Sequence, residues 1–101
     1  MPRYLVEREF AEGFPITPTE EGRAECARIA ARNAELGVTW LHSYVAEDGH
    51  TCVCVCEAAS PEAVRRAAAR SRWPVDQLTQ VHVLDPHFHL GPPADQPRTR
   101  R

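Results

Sequence analysis

Glu7, His42, Glu57 and His82 are the side chains in this sequence with the clearest capacity for chemistry. Imidazole nitrogen together with carboxylate oxygen suits borderline divalent ions such as nickel, zinc or cobalt, and it suits general acid-base work equally. Each of the four lies in a stretch where residue types alternate, so alternation places them on different strands but on one sheet face. A hydrogen-bonded polar network that fixes the register of two packed copies accounts for the same pattern. Metal binding through neutral imidazole would weaken as pH drops through about 6.5.

Cys52-Val53-Cys54-Val55-Cys56 is a second motif. On a regular strand its sulfurs point the same way at intervals of about 6.5 to 7 Å. Tetrahedral zinc holds thiolates at about 2.3 Å, so neighbouring sulfurs must come within roughly 4 Å, which a straight strand does not offer. The spacing also differs from zinc knuckles and thioredoxin-like redox pairs. Buried structural thiols are the expectation, with a soft-metal or redox site as the alternative. His87 and His89 form a further pair at the start of the C-terminal segment, where solvation competes with loose metal binding. His50 reads as a solvated residue at a hairpin tip, and Trp73-Pro74 as a packing plug. The five glycines form no phosphate-cradling loop, and no serine or cysteine sits in a nucleophile signature.

The elements that must position these groups follow from pattern and punctuation. Arg3 to Phe10 alternates as a strand, with Tyr4, Val6 and Arg8 on one side. Thr17 as cap, Pro18 at the first helical position and Glu20 three residues after the cap predict a helix from Pro18, with Cys26, Ile29, Ala30, Ala34 and Leu36 as its stripe and Gly37 as its stop. Val38 to Ala46 reads as a strand, Asp48-Gly49 as a two-residue hairpin turn, and Thr51 to Glu57 as the returning strand. Ser60-Pro61-Glu62 opens a second helix that ends at Trp73-Pro74. Thr79 to Leu84 alternates as a fourth strand.

This order, strand-helix-strand-strand-helix-strand, predicts an α+β, ferredoxin-like βαββαβ sandwich. Both helices then cover one face of a four-stranded antiparallel sheet, and the other face needs a partner, for which a face-to-face homodimer is the expectation. The domain is expected over 3–86, with a flexible proline- and arginine-rich tail over 87–101. A two-residue turn pairs Val45 with Cys52 and Tyr44 with Val53, and paired residues share a face. Leu41, Ser43, Val45, Cys52, Cys54 and Cys56 are then expected in the helix-covered core with Val6, Val81 and Val83. Leu5, Glu7, Glu9, Trp40, His42, Tyr44, Val53, Val55, Glu57, His82 and Leu84 are expected on the open face. A register slip of one residue would exchange the faces of one strand.

The chain has 101 residues and 11.3 kDa, enough for one compact domain. Its net charge of -2 leaves no electrostatic footprint for nucleic acid or an anionic membrane. Arginine clusters at Arg65 to Arg72 and Arg98 to Arg101 read as solvated surface. No apolar stretch approaches the roughly 20 residues that span a bilayer. The start, Met1-Pro2-Arg3-Tyr4, has no leader-like apolar run, so a cytoplasmic protein with four reduced thiols is the expectation.

The stretches Tyr4-Leu5-Val6-Glu7-Arg8, Trp40-Leu41-His42-Ser43-Tyr44-Val45, Cys54-Val55-Cys56-Glu57-Ala58 and Trp73-Pro74-Val75-Asp76 resemble a family of small bacterial domains of unknown function. Relatives in that family are nickel-binding, nickel-responsive, ferredoxin-like dimers. The resemblance spans roughly Arg3 to Pro86, and it implies a metal-binding or metal-responsive dimer without identifying ligands. Cys56 departs from the family pattern, in which an aromatic residue is usual. A cofactor-free isomerase or monooxygenase with a pocket between sheet and partner is the alternative, by fold analogy.

Overall fold

The computed structural model describes residues 1–90; residues 91–101, with most of the expected tail, lie outside the described residues, as do the side chains of His89 and Leu90. Strands β1 (Arg3–Glu9), β2 (Thr39–Val45), β3 (Thr51–Glu57) and β4 (Gln77–Val81) form one antiparallel sheet in the order β2-β3-β1-β4. Helices α1 (Glu20–Glu35) and α2 (Pro61–Ser71) follow β1 and β3, which is the expected α+β order. A short third helix, α3 (Pro86–Leu90), begins where a flexible tail is expected; Asp85 starts it by accepting from the His87 backbone N–H at 2.9 Å.

The helices begin and end for local reasons. Ser60 caps α2 by accepting from the Ala63 N–H, and Pro61 occupies the first turn, where a missing N–H is harmless. Helix α1 begins two residues later than the sequence predicts. Thr19, not Thr17, is its cap, accepting from the Gly22 N–H at 3.1 Å, while Thr17 and Thr19 share a hydroxyl hydrogen bond of 2.6 Å. Its stripe narrows to Ile29 and the glycine at position 22, with Cys26, Ala30 and Leu36 half-buried and Ala34 exposed.

The core lies between the helices and one sheet face. Tyr4, Val6, Cys52, Cys54 and Cys56 from the sheet pack against Ala63, Val64 and Ala67 of α2, with Val38 and Ala58 at the ends. Small residues at both surfaces let helix and sheet approach closely. On the other face, rungs across β2-β3-β1-β4 read His42, Val55, Leu5, Thr79 and Tyr44, Val53, Glu7, Gln77.

Two departures from the expected faces have clear causes. The hairpin keeps the expected pairing of Val45 with Cys52, but its turn runs from Ala46 to Gly49, with the Gly49 N–H donating to the Ala46 carbonyl and Gly49 at φ 77°. Four loop residues preserve the same alternation as two. Earlier in β2, however, a bulge between Trp40 and His42 leaves Leu41 unpaired and 38% exposed, and the alternation reverses there. Trp40 therefore pairs with Cys56 and belongs to the core side, not the open face.

Strand β4 is shifted. The Asp76 N–H donates to the Glu7 carbonyl at 2.8 Å, and the Asp76 carboxylate accepts from the Glu9 N–H, so pairing starts at Gln77 opposite Glu7. It stops at Val81 opposite Arg3, the first residue of β1, which follows Pro2, a residue with no backbone N–H to extend the ladder. Leu78 and Gln80, not Val81 and Val83, share the rungs of Val6 and Tyr4. Val83 and Leu84 lie beyond the sheet and are exposed, and Val45 at the edge is also exposed.

Candidate functional site

The open face holds three of the four expected ligands on strands. Glu7 is half-buried mid-strand between Val53 and Gln77. His42 is exposed opposite Val55, its ring edge-on to Tyr44 at 5.2 Å between centroids. Glu57 ends β3 between Thr39 and Arg3, and accepts from the Arg3 guanidinium at 2.7 Å. That hydrogen bond holds the Glu57 carboxyl below its ordinary range. His82 follows the last residue of β4 and is exposed, outside the strand that was expected to carry it.

Glu57 and His42 are diagonal neighbours, about 7 to 8 Å apart at the backbone. Glu7 lies two strands from His42, at least about 9.5 Å away. Among the described residues, no group of three or more His, Cys, Asp and Glu side chains is placed to hold a metal ion. Leu5, Val53 and Val55 form the apolar middle of this face, with Tyr44 beside them on edge strand β2. Val55 is buried by its neighbours, and Tyr44 is 66% exposed.

The second constellation lies beneath the helices and is organised by Arg8, which is only 8% exposed. Its Nε donates to Cys54 Sγ at 3.2 Å, an Nη donates to the Pro74 carbonyl at 2.7 Å, and the guanidinium stands 5.2 Å from the centre of a Trp73 ring. Among the described residues, no carboxylate forms an ion pair with it. Ser43 Oγ also lies 3.0 Å from Cys54 Sγ; because Ser43 accepts from Trp40 Nε1 at 2.8 Å, its own proton is free for the sulfur. Phe10, Phe14, Trp40 and Trp73 close the cluster by edge-to-face contacts, three of them to Trp73.

The spacing expected for the three sulfurs holds for the backbone but not for the side chains. Cys52 Sγ and Cys54 Sγ lean together to 3.6 Å. All four cysteines are free thiols, and the three on β3 are buried. Burial pushes the Cys52 thiol up to about 12, with the neighbouring Cys54 adding to the effect, and burial pushes Cys56 up to about 11. A cavity of about 20 Å³, room for roughly one water, adjoins Arg8, Cys54, Cys56, Asn33 and Ser71. Ser71 Oγ is buried beside it without a hydrogen-bond partner among the described residues. Arg8 shares the parity of Tyr4 and Val6, which is the sequence signal that could have revealed this cluster.

The remaining candidates are simpler. His50 Nδ1 is 2.9 Å from the Phe10 carbonyl, tying the hairpin tip to the end of β1. His87 is exposed in α3, and the His89 side chain lies outside the described residues. None of the described helices is long and apolar enough to cross a membrane.

The fold and the open face define a small α+β protein with four antiparallel strands and a polar-rimmed apolar sheet surface. The chain belongs to the SCO4226-like family of nickel responsive proteins, whose model matches residues 4–81. The crystal structure of SCO4226 from Streptomyces coelicolor A3(2) superimposes with a TM-score of 0.61 at 16% identity, covering 82% of this chain and 99% of that one. That likeness establishes the shared fold. No curated protein matches the chain.

Proposed function

We propose that this protein binds nickel or a similar divalent ion as a homodimer whose open sheet faces meet, with Glu7, His42, Glu57 and His82 as ligands. The observation that carries this reading is the uncovered face on which Leu5, Tyr44, Val53 and Val55 surround the half-buried Glu7 and the exposed His42. The family's nickel responsiveness supports the choice of metal. Because no three such side chains are placed to hold an ion within one copy, among the described residues, the ligand set is completed by side chains from a second copy. Dimerisation and metal binding are then coupled, and the metal shifts the monomer-dimer balance by mass action. The reading places the protein in the cytoplasm, where its free thiols remain reduced.

Isothermal titration with nickel, zinc and cobalt, paired with sedimentation velocity, tests the proposal. Expected are binding well below millimolar, loss of most of that affinity in His42→Ala, and a metal-dependent increase in dimer. Binding no tighter than about millimolar, or unchanged by His42→Ala, overturns it.

A further inference from the structure

On the helix side of the sheet, away from the proposed metal face, the geometry points to a thiol reaction centre. We infer that Cys54 is a peroxide-reactive thiolate and that Cys52 is its resolving partner. Cys54 Sγ is the acceptor for two donors, Arg8 Nε at 3.2 Å and Ser43 Oγ at 3.0 Å. A buried guanidinium without a carboxylate partner is costly, and a neighbouring sulfur anion removes that cost. Thiolates are nucleophilic where cationic groups surround them, and Cys54 is the sulfur in this cluster that takes both hydrogen bonds. The resolving position is filled because Cys52 Sγ lies 3.6 Å away on the same strand face.

The cavity at Cys54 holds about one water, so it favours the smallest oxidant and excludes bulky disulfides. Hydrogen peroxide fits that description. The Cys54 thiolate attacks one peroxide oxygen, the O–O bond breaks, and hydroxide leaves, giving a sulfenic acid at Cys54. The hydroxide takes the Cys52 proton and becomes water. The Cys52 thiolate then attacks Cys54 Sγ, the S–O bond breaks, and a second hydroxide departs to be neutralised by solvent. Two thiol sulfurs are oxidised by two electrons in total, and peroxide is reduced to water and hydroxide. The two backbone positions are at the long end of what a disulfide tolerates, so closure pinches β3 and leaves a bond that thiols reduce readily.

The test is mass spectrometry of reduced full-length protein exposed to one equivalent of hydrogen peroxide at neutral pH, then alkylated and mapped. Expected is loss of two hydrogens within the peptide that contains Cys52 and Cys54, while Cys26, which is less buried, remains alkylated. In Cys52→Ser, Cys54 instead gains one oxygen and is captured by dimedone once the oxidised protein is unfolded in its presence. Ser43→Ala and Arg8→Lys slow cross-linking at least about tenfold, each confirmed folded by circular dichroism, and Ser43→Ala alone decides if Arg8→Lys does not fold. Oxidation of Cys26 ahead of the pair, or absence of the cross-link in the wild-type chain, overturns the inference. An unchanged rate in the folded variants overturns it equally.

Discussion

Arg8 donates to both a sulfur and a backbone carbonyl from a nearly closed site, so its removal leaves both acceptors without their donor. Arg8→Met keeps an aliphatic stem against Trp73 but leaves the Pro74 carbonyl without its donor. The expected loss is about 1 to 3 kcal/mol, read from the urea unfolding midpoint. Cys52 contributes to the pH dependence of stability. Its folded value near 12 lies above the ordinary 9.0, so the folded state holds this proton more tightly. The contribution is full below pH 9 and is lost as pH rises from 9 towards 12. Cys52→Ala is therefore expected to flatten the alkaline decline in unfolding free energy over that window. At Glu57 the prediction bears on the proposed metal. Arg3 occupies this carboxylate, and an ion pair this exposed is worth no more than about 1 kcal/mol. Freeing it with Arg3→Ala should tighten nickel binding by up to about fivefold in calorimetric titration. Glu57→Gln should weaken nickel binding in the same titration, and an affinity unchanged by that substitution excludes Glu57 from the ligand set.

At the scale of elements, the first turn of α1 depends on close backbone approach. A Cβ at Gly22 would run into the Thr17 carbonyl. Gly22→Ala should therefore destabilise the protein by about 1 to 3 kcal/mol in thermal or urea unfolding, although alanine is intrinsically the better helix former. The elements themselves were largely legible in the sequence. Ser60-Pro61, the Asp48-Gly49 corner and the alternation of Arg3 to Glu9 each carry their own local cause. The bulge at Leu41 was not legible, since a bulge changes pairing without changing the hydrophobic pattern that precedes it. Strand β4 was misplaced because Val81 and Val83 alternate convincingly, whereas the hydrogen bonds of Asp76 to β1 decide where pairing starts. Of the expected site, Glu7, His42 and Glu57 share the open face as read, and only His82 falls off the strand. The Arg8 and Cys54 constellation escaped notice because a charged residue at an inward position is read as an exception until its partners are known.

For the molecule as a whole, the two faces of the sheet carry different side chains, Glu7, His42 and Glu57 on the open one and Arg8 with three cysteines on the covered one. Tyr44→Glu adds a charge on the open face, on edge strand β2 beside Val53. Under the proposed face-to-face pairing it should give a monomer in sedimentation velocity with an unchanged far-ultraviolet spectrum, and with weakened nickel binding where the two copies share the ligands. The protein has two tryptophans, Trp40 and Trp73, and both lie on the helix side with ring centroids 5.6 Å apart. Trp73 stacks with the guanidinium and Trp40 donates to the serine beside Cys54. Intrinsic indole emission is therefore a reporter for one side of the sheet only: sulfur oxidation should change its intensity, while divalent ion loading on the opposite surface should leave the optical signal nearly flat.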